Sequence, residues 1–292
     1  MTSTRSRPIT TLAVSLMAVF WSPSFADHGG CPCKSETVLR NQNHVADTLD
    51  VFEPAQRAIV IWDGETETII LSTDVRLAGA SQSGLIAEFI PLPNRPTVTV
   101  RPIEIFRRLA DLDPENAADL LTFVPTHPAG ALARMPTVSF VTQAEDLNRT
   151  LMQICSIDDA YRAPTEEIAK NYLAQGFPWF VFDGIEASSN DMSFPPIAHT
   201  FASDRLYYPL ETSVMAQGGT RIDLALITRH VISRFEETST PIRIESTIVV
   251  EKDQLKDILD DASFFSDQDA VVIQHISLEG ELNAMRRDIV GR

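Results

Sequence analysis

Three runs rich in β-branched and aromatic residues, all between positions 58 and 93, constrain the fold of this chain more than anything else in it. They are Ala58-Ile-Val-Ile-Trp62-Asp63-Gly64, Thr68-Ile-Ile-Leu-Ser72 and Leu85-Ile-Ala-Glu-Phe89-Ile-Pro91-Leu-Pro93. Asp63-Gly64 and a Gly/Ser/Gln stretch separate them, so the spacing predicts an antiparallel meander. Ile59, Ile61, Ile69 and Leu71 recur at period two, which predicts one buried sheet face, with Arg57, Trp62 or Thr68 towards the other side. Pro91 and Pro93 each remove a ladder donor and end the third strand. No polar spacing along the stretch suits a reaction, so it reads as scaffold.

Beyond it, the pattern predicts a short strand at 97–100, a helix at 104–110 carrying Ile105, Phe106 and Leu109 on one side, and a second helix from Pro114 to about 121. A strand is expected at 138–142. A helix should follow Asp158-Asp159 and close at Gly176. A second β-rich stretch begins at Trp179-Phe-Val-Phe182, with an Asp183-Gly184 step, and continues through 197–201, 206–215 and 221–228; Gly218-Gly219 reads as a hairpin turn. Strands at 242–250 and 270–276 and helices at 253–259 and 281–289 complete the chain. The expected fold class is α+β, mostly antiparallel sheet in two similar strand-rich blocks, 27–175 and 176–292, packed as one unit with a few short helices.

Residues 1–26 carry Arg5 and Arg7, an apolar stretch from Leu12 to Trp21, and Ser24-Phe25-Ala26 at the end, which is the pattern of a secretory signal peptide. No later run approaches the roughly 18 apolar residues of a membrane span, so no transmembrane anchor is expected and the mature chain should be periplasmic or extracellular. Losing Arg5 and Arg7 makes the formal net charge of −16 two charges more negative. Such an acidic chain is a poor partner for nucleic acid or an anionic membrane surface.

Asp27-His28-Gly29-Gly30-Cys31-Pro32-Cys33 is the only local cluster of soft ligands. Three readings of it are open. A disulfide can join Cys31 or Cys33 to Cys155, or join Cys31 and Cys33 across Pro32, as suits an exported chain. His28 with the two thiolates would suit copper or zinc, although a fourth ligand is lacking nearby. Lipid attachment at Cys31 is the third, and His28 stands where a lipobox needs an aliphatic residue.

Arg57-Ala-Ile-Val-Ile-Trp-Asp63, Glu88-Phe-Ile-Pro91-Leu-Pro93, Val98, Ile105-Phe106-Arg107-Arg108-Leu109, Phe201-Ala-Ser-Asp204 and Tyr207-Tyr-Pro209-Leu210 together resemble the secreted bacterial family called domain of unknown function 2330, over roughly residues 28 to 230. The family brings no established activity or catalytic residue to carry over. Glu88 departs from its pattern, standing where an aromatic often precedes the proline motif.

No Gly-x-Ser-x-Gly elbow, His-Glu-x-x-His helix, phosphate loop or dinucleotide fingerprint occurs. His44, His127, His199, His230 and His275 are isolated from one another. His199 is the least bland, since folding could bring a carboxylate such as Asp204 to its ring. Catalytic residues are therefore unassigned and no cofactor is predicted. The leading expectation is a non-enzymatic envelope domain that presents loops to a protein partner. A metal-handling or thiol-redox protein using Cys31 and Cys33 is the alternative, and a hydrolase assembled from distant residues is a minor one.

Overall fold

Asp63 makes the first hairpin. Its Oδ1 accepts from the N–H of Glu65 at 3.0 Å and of Thr66 at 2.8 Å, while Gly64 takes the left-handed φ of 100° that the turn requires. The strands so joined are β2 (Asp50–Trp62) and β3 (Thr66–Ala78). The computed structural model describes residues 31–32, 50–78, 84–115, 136–154, 159–187, 191–212, 219–256, 258 and 264–292.

Five further strands and an attached sixth extend this hairpin into an eight-stranded sheet. With β5 (Thr97–Val100), β9 (Ile197–Ala202), β11 (Gly219–Thr228), β12 (Arg243–Glu251) and β13 (Ala270–Glu281), the order is β12-β13-β11-β2-β3-β9-β5, and β8 (Asp191–Ser193) also pairs with β3. A second sheet has the order β1-β4-β7-β6, from Cys31–Pro32, Gly84–Leu92, Trp179–Ala187 and Thr137–Phe140. A small pair joins β10 (Leu206–Tyr208) to β14 (Ile289–Gly291). Only β2 with β11 runs parallel among these ladders, so the α+β, mostly antiparallel architecture is as the strand pattern predicts. Among the described residues three α-helices accompany the sheets: α1 (Glu104–Ala110), α2 (Ala144–Ile154) and α3 (Asp159–Ala174), the last followed by Gly176 at φ 86°.

The meander does not continue past β3. The third run, β4, leaves for the second sheet and pairs with β1 and β7, while the outer side of β3 is taken by β8 and β9. Strands of the two sequence blocks therefore share both large sheets. Period two also misassigns the first hairpin. Ala58 and Val60 enter a core with Ile69 and Leu71, whereas Ile59 and Ile61 enter another with Ile70, all at most 4% exposed. The run is a central strand buried on both faces, for which apolar residues at every position are expected. The first core is closed by Phe89, Phe180, Phe182, Leu147, Leu151 and Tyr172; the second by Phe106, Leu109 and Phe265.

The terminal helix expected at 281–289 is not formed. A short 3-10 turn, Leu282–Ala284, leads instead to β14, because residues 289–291 pair with β10, and Leu282, Met285 and Ile289 enter the first core from that path. The helix at 253–259 reduces to a 3-10 turn, Lys252–Leu255, capped by Glu251 and Gln254. Gly219 begins β11, whose neighbours are β13 and β2, so it does not turn a hairpin from β10; Gly218 lies outside the described residues. Residues 116–121 of the expected second helix also lie outside them. Helix α2 is unanticipated by the sequence reading, and it holds the Asn148-Arg149-Thr150 triplet. The Asn148 side chain, 6% exposed, donates to the Arg162 carbonyl at 3.0 Å and to Glu166 at 2.9 Å, so it joins α2 to α3.

Candidate functional site

Register alone brings two carboxylates together. In the β4–β7 ladder Glu88 stands directly opposite Asp183, an antiparallel neighbour position where side chains lie about 5 Å apart at Cβ. On β9, His199 stands opposite Ile69 on one side and Val98 on the other. These three side chains, each 4% exposed, line one cleft together with Leu71, Phe89, Ile90, Val181 and Ile197. All three have interaction partners. The cleft's free volume is about 20 Å³, room for a water molecule and little more.

That arrangement limits the chemistry. Among the described residues no Ser, Thr or Cys lines the cleft, so none supplies a hydroxyl or thiol for His199 to activate there. Among the described residues no three His, Cys, Asp or Glu side chains are disposed to hold a metal ion. Asp204 is exposed beyond the end of β9 and does not line the cleft; the carboxylates that share it with His199 are Glu88 and Asp183. Asp183-Gly184, which reads as a turn in sequence, is mid-strand in β7. Each of the three comes from a different strand, which is why local spacing shows no sign of the grouping.

A second buried polar cluster ties the C-terminus to the core. Asp288 Oδ1 accepts from Tyr172 Oη at 2.8 Å and from the N–H groups of Leu210 at 2.7 Å and Glu211 at 2.8 Å. Burial pushes the Asp288 carboxyl up to about 6, against the opposing pull of those donors. Glu67, wholly buried on β3, accepts from the Tyr207 N–H at 2.9 Å, and burial raises it well above the usual carboxylate range. Burial likewise raises Tyr172 and Tyr207, which stay protonated as donors. The third cluster is an ion pair in which Arg57 meets both oxygens of Asp74, at 2.8 and 2.6 Å, with Ser193 donating to the same carboxylate at 2.6 Å. It joins β2, β3 and β8.

Of the cysteine motif, Cys31 begins β1 and pairs with Ala87 of β4; His28, Cys33 and Cys155 lie outside the described residues, as do His44 and His127. His275 is buried on β13 opposite Ala225, and His230 is exposed after β11.

A family model described as an uncharacterised protein conserved in bacteria, DUF2330, matches residues 43–253. The chain belongs to the DUF2330 family. Of the DUF2330 motifs, the Arg57 segment is β2, with its ion pair to Asp74, and the Glu88 segment is β4, with Glu88 in the cleft. No curated protein matches the sequence. Among solved structures, the crystal structure of baculovirus P35 is similar to this DUF2330 chain over 84% of its length and 97% of that chain, with a TM-score of 0.43 and 8% identity. No helix of the described residues is long and apolar enough to cross a membrane.

Proposed function

We propose that the chain works as an exported, non-enzymatic binding domain that takes up a protein partner along a sheet edge. The supporting observation is where its exposed apolar side chains lie. Among the described residues six large hydrophobic side chains are exposed, and four of them sit on strands at the ends of sheets: Val100 on β5, Phe140 on β6, and Ile244 and Val249 on β12. An edge strand offers a row of unpaired backbone donors and acceptors, which natural proteins ordinarily blunt with short length, charge or proline. β12 is nine residues long, contains no proline, and among the described residues has no strand on the side away from β13. An extended segment added there gains main-chain hydrogen bonds, and alternate side chains supply selectivity.

The buried cleft favours this reading over catalysis, since it has room for a water molecule and not for an organic substrate. A photo-reactive amino acid placed at Val249, compared with one at the exposed Lys170 of α3, tests the assignment in envelopes of cells exporting the chain. A discrete adduct from position 249 and none from 170 is expected. Equal labelling from both positions contradicts it.

A further inference from the structure

We infer that the strand occupying the β12 edge is β12 of a second copy of this chain, laid antiparallel about a two-fold axis at Thr247; this rests on the reading of β12 as the binding edge. The argument comes from the ladder. β12 pairs with β13 as Arg243↔Ser277 and Ile244↔Ile276, then Ser246↔His275 through to Glu251↔Ala270, with a bulge that leaves Glu245 without an opposite residue. Counted in ladder positions, Ile244 therefore lies two before Thr247 and Val249 lies two after it. All three fall on the same face, since positions an even number apart do.

A two-fold axis at Thr247 consequently sets Ile244 of each copy against Val249 of the other. These are the two exposed apolar side chains of the strand, 52% and 70% exposed alone. Without the bulge they would sit at unequal distances from Thr247 and on opposite faces, so the irregularity that would otherwise disturb the edge is what makes it self-complementary. Charge does not oppose the pairing: in this register Arg243 stands opposite Val250 and Ser246 opposite Ile248 of the other copy, so no two acids meet across the seam. Pairing continues the eight-stranded sheet across the axis as an isologous interface.

Sedimentation of the purified full-length chain over a hundredfold concentration range tests the inference, alongside V249K and T247C. Wild type is expected to shift from monomer to dimer, and V249K to remain monomeric at concentrations at least tenfold higher. V249K should unfold at the wild-type temperature because Val249 is largely in solvent. Under mild oxidation T247C, which meets itself on the axis, should give a covalent dimer that K170C does not. A wild-type chain that stays monomeric, with T247C no more cross-linked than K170C, overturns self-pairing. If position 249 still gives a discrete photo-adduct with a different protein, only the choice of occupant fails; if it gives none, the binding edge fails as well.

Discussion

Asp288 concentrates three hydrogen bonds on one oxygen. Its folded value near 6 lies above the ordinary 3.8, so the native state takes up the proton first. The resulting stabilisation is complete below about pH 4 and is lost as pH rises through 6, and it should amount to on the order of 1–2 kcal/mol because the residue is only partly buried. Urea unfolding at pH 5 and pH 7.5 should therefore show D288N, which keeps the Oδ1 acceptor, losing part of the wild-type pH dependence. D288A, which strands three donors, should lose about 3 kcal/mol at both pH values. The Arg57–Asp74 pair behaves differently. R57M leaves a buried carboxylate unpaired and should cost about 3–5 kcal/mol, whereas the double change R57M/D74L should recover much of it. Arg57 was visible in the sequence only as a polar break in an apolar run. Its partner seventeen residues on could be matched only once the hairpin register was known.

Single elements were legible where local physics fixed them. Helix α1 follows from its apolar spacing and α3 from its closing Gly176, while β7, β9 and β11 follow from short stretches rich in apolar and β-branched residues. Long-range capture decided the rest. β14 forms because residues 206–208 and the bridge at Phe235 offer it pairing, which nothing within 281–292 encodes. Two glycines separate the local cause from the distant one. At Gly176 a Cβ would meet nothing within 4 Å, so G176A should cost only the left-handed backbone penalty of about 1 kcal/mol. At Gly291 a Cβ would come within 2.9 Å of Ile232 Cγ2 and 3.4 Å of Leu206 Cβ. G291A should therefore cost about 1–3 kcal/mol and loosen β14, read by thermal melting and by faster amide exchange at 206–208.

Across the whole molecule, the class α+β was legible because apolar runs and turn residues mark strands wherever they occur. Strand partners were not, since β2 pairs with β11 and β4 with β7 across more than eighty residues of sequence. The cleft of Glu88, Asp183 and His199 shares that origin, being a product of three strands brought together by topology. What the topology leaves open is also informative: two interleaved sheets bury two cores and still expose Ile244 and Val249 on a long terminal strand. Hydrogen–deuterium exchange of the β12 amides measures this most directly, comparing dilute purified protein with protein held at high concentration or in envelope extract. Alternate amides of 243–251, those not bonded to β13, should exchange fast when dilute and slow markedly under the other conditions, while 97–100 on β5 stay unchanged. Fast exchange of the same amides under every condition would contradict a binding role for this edge.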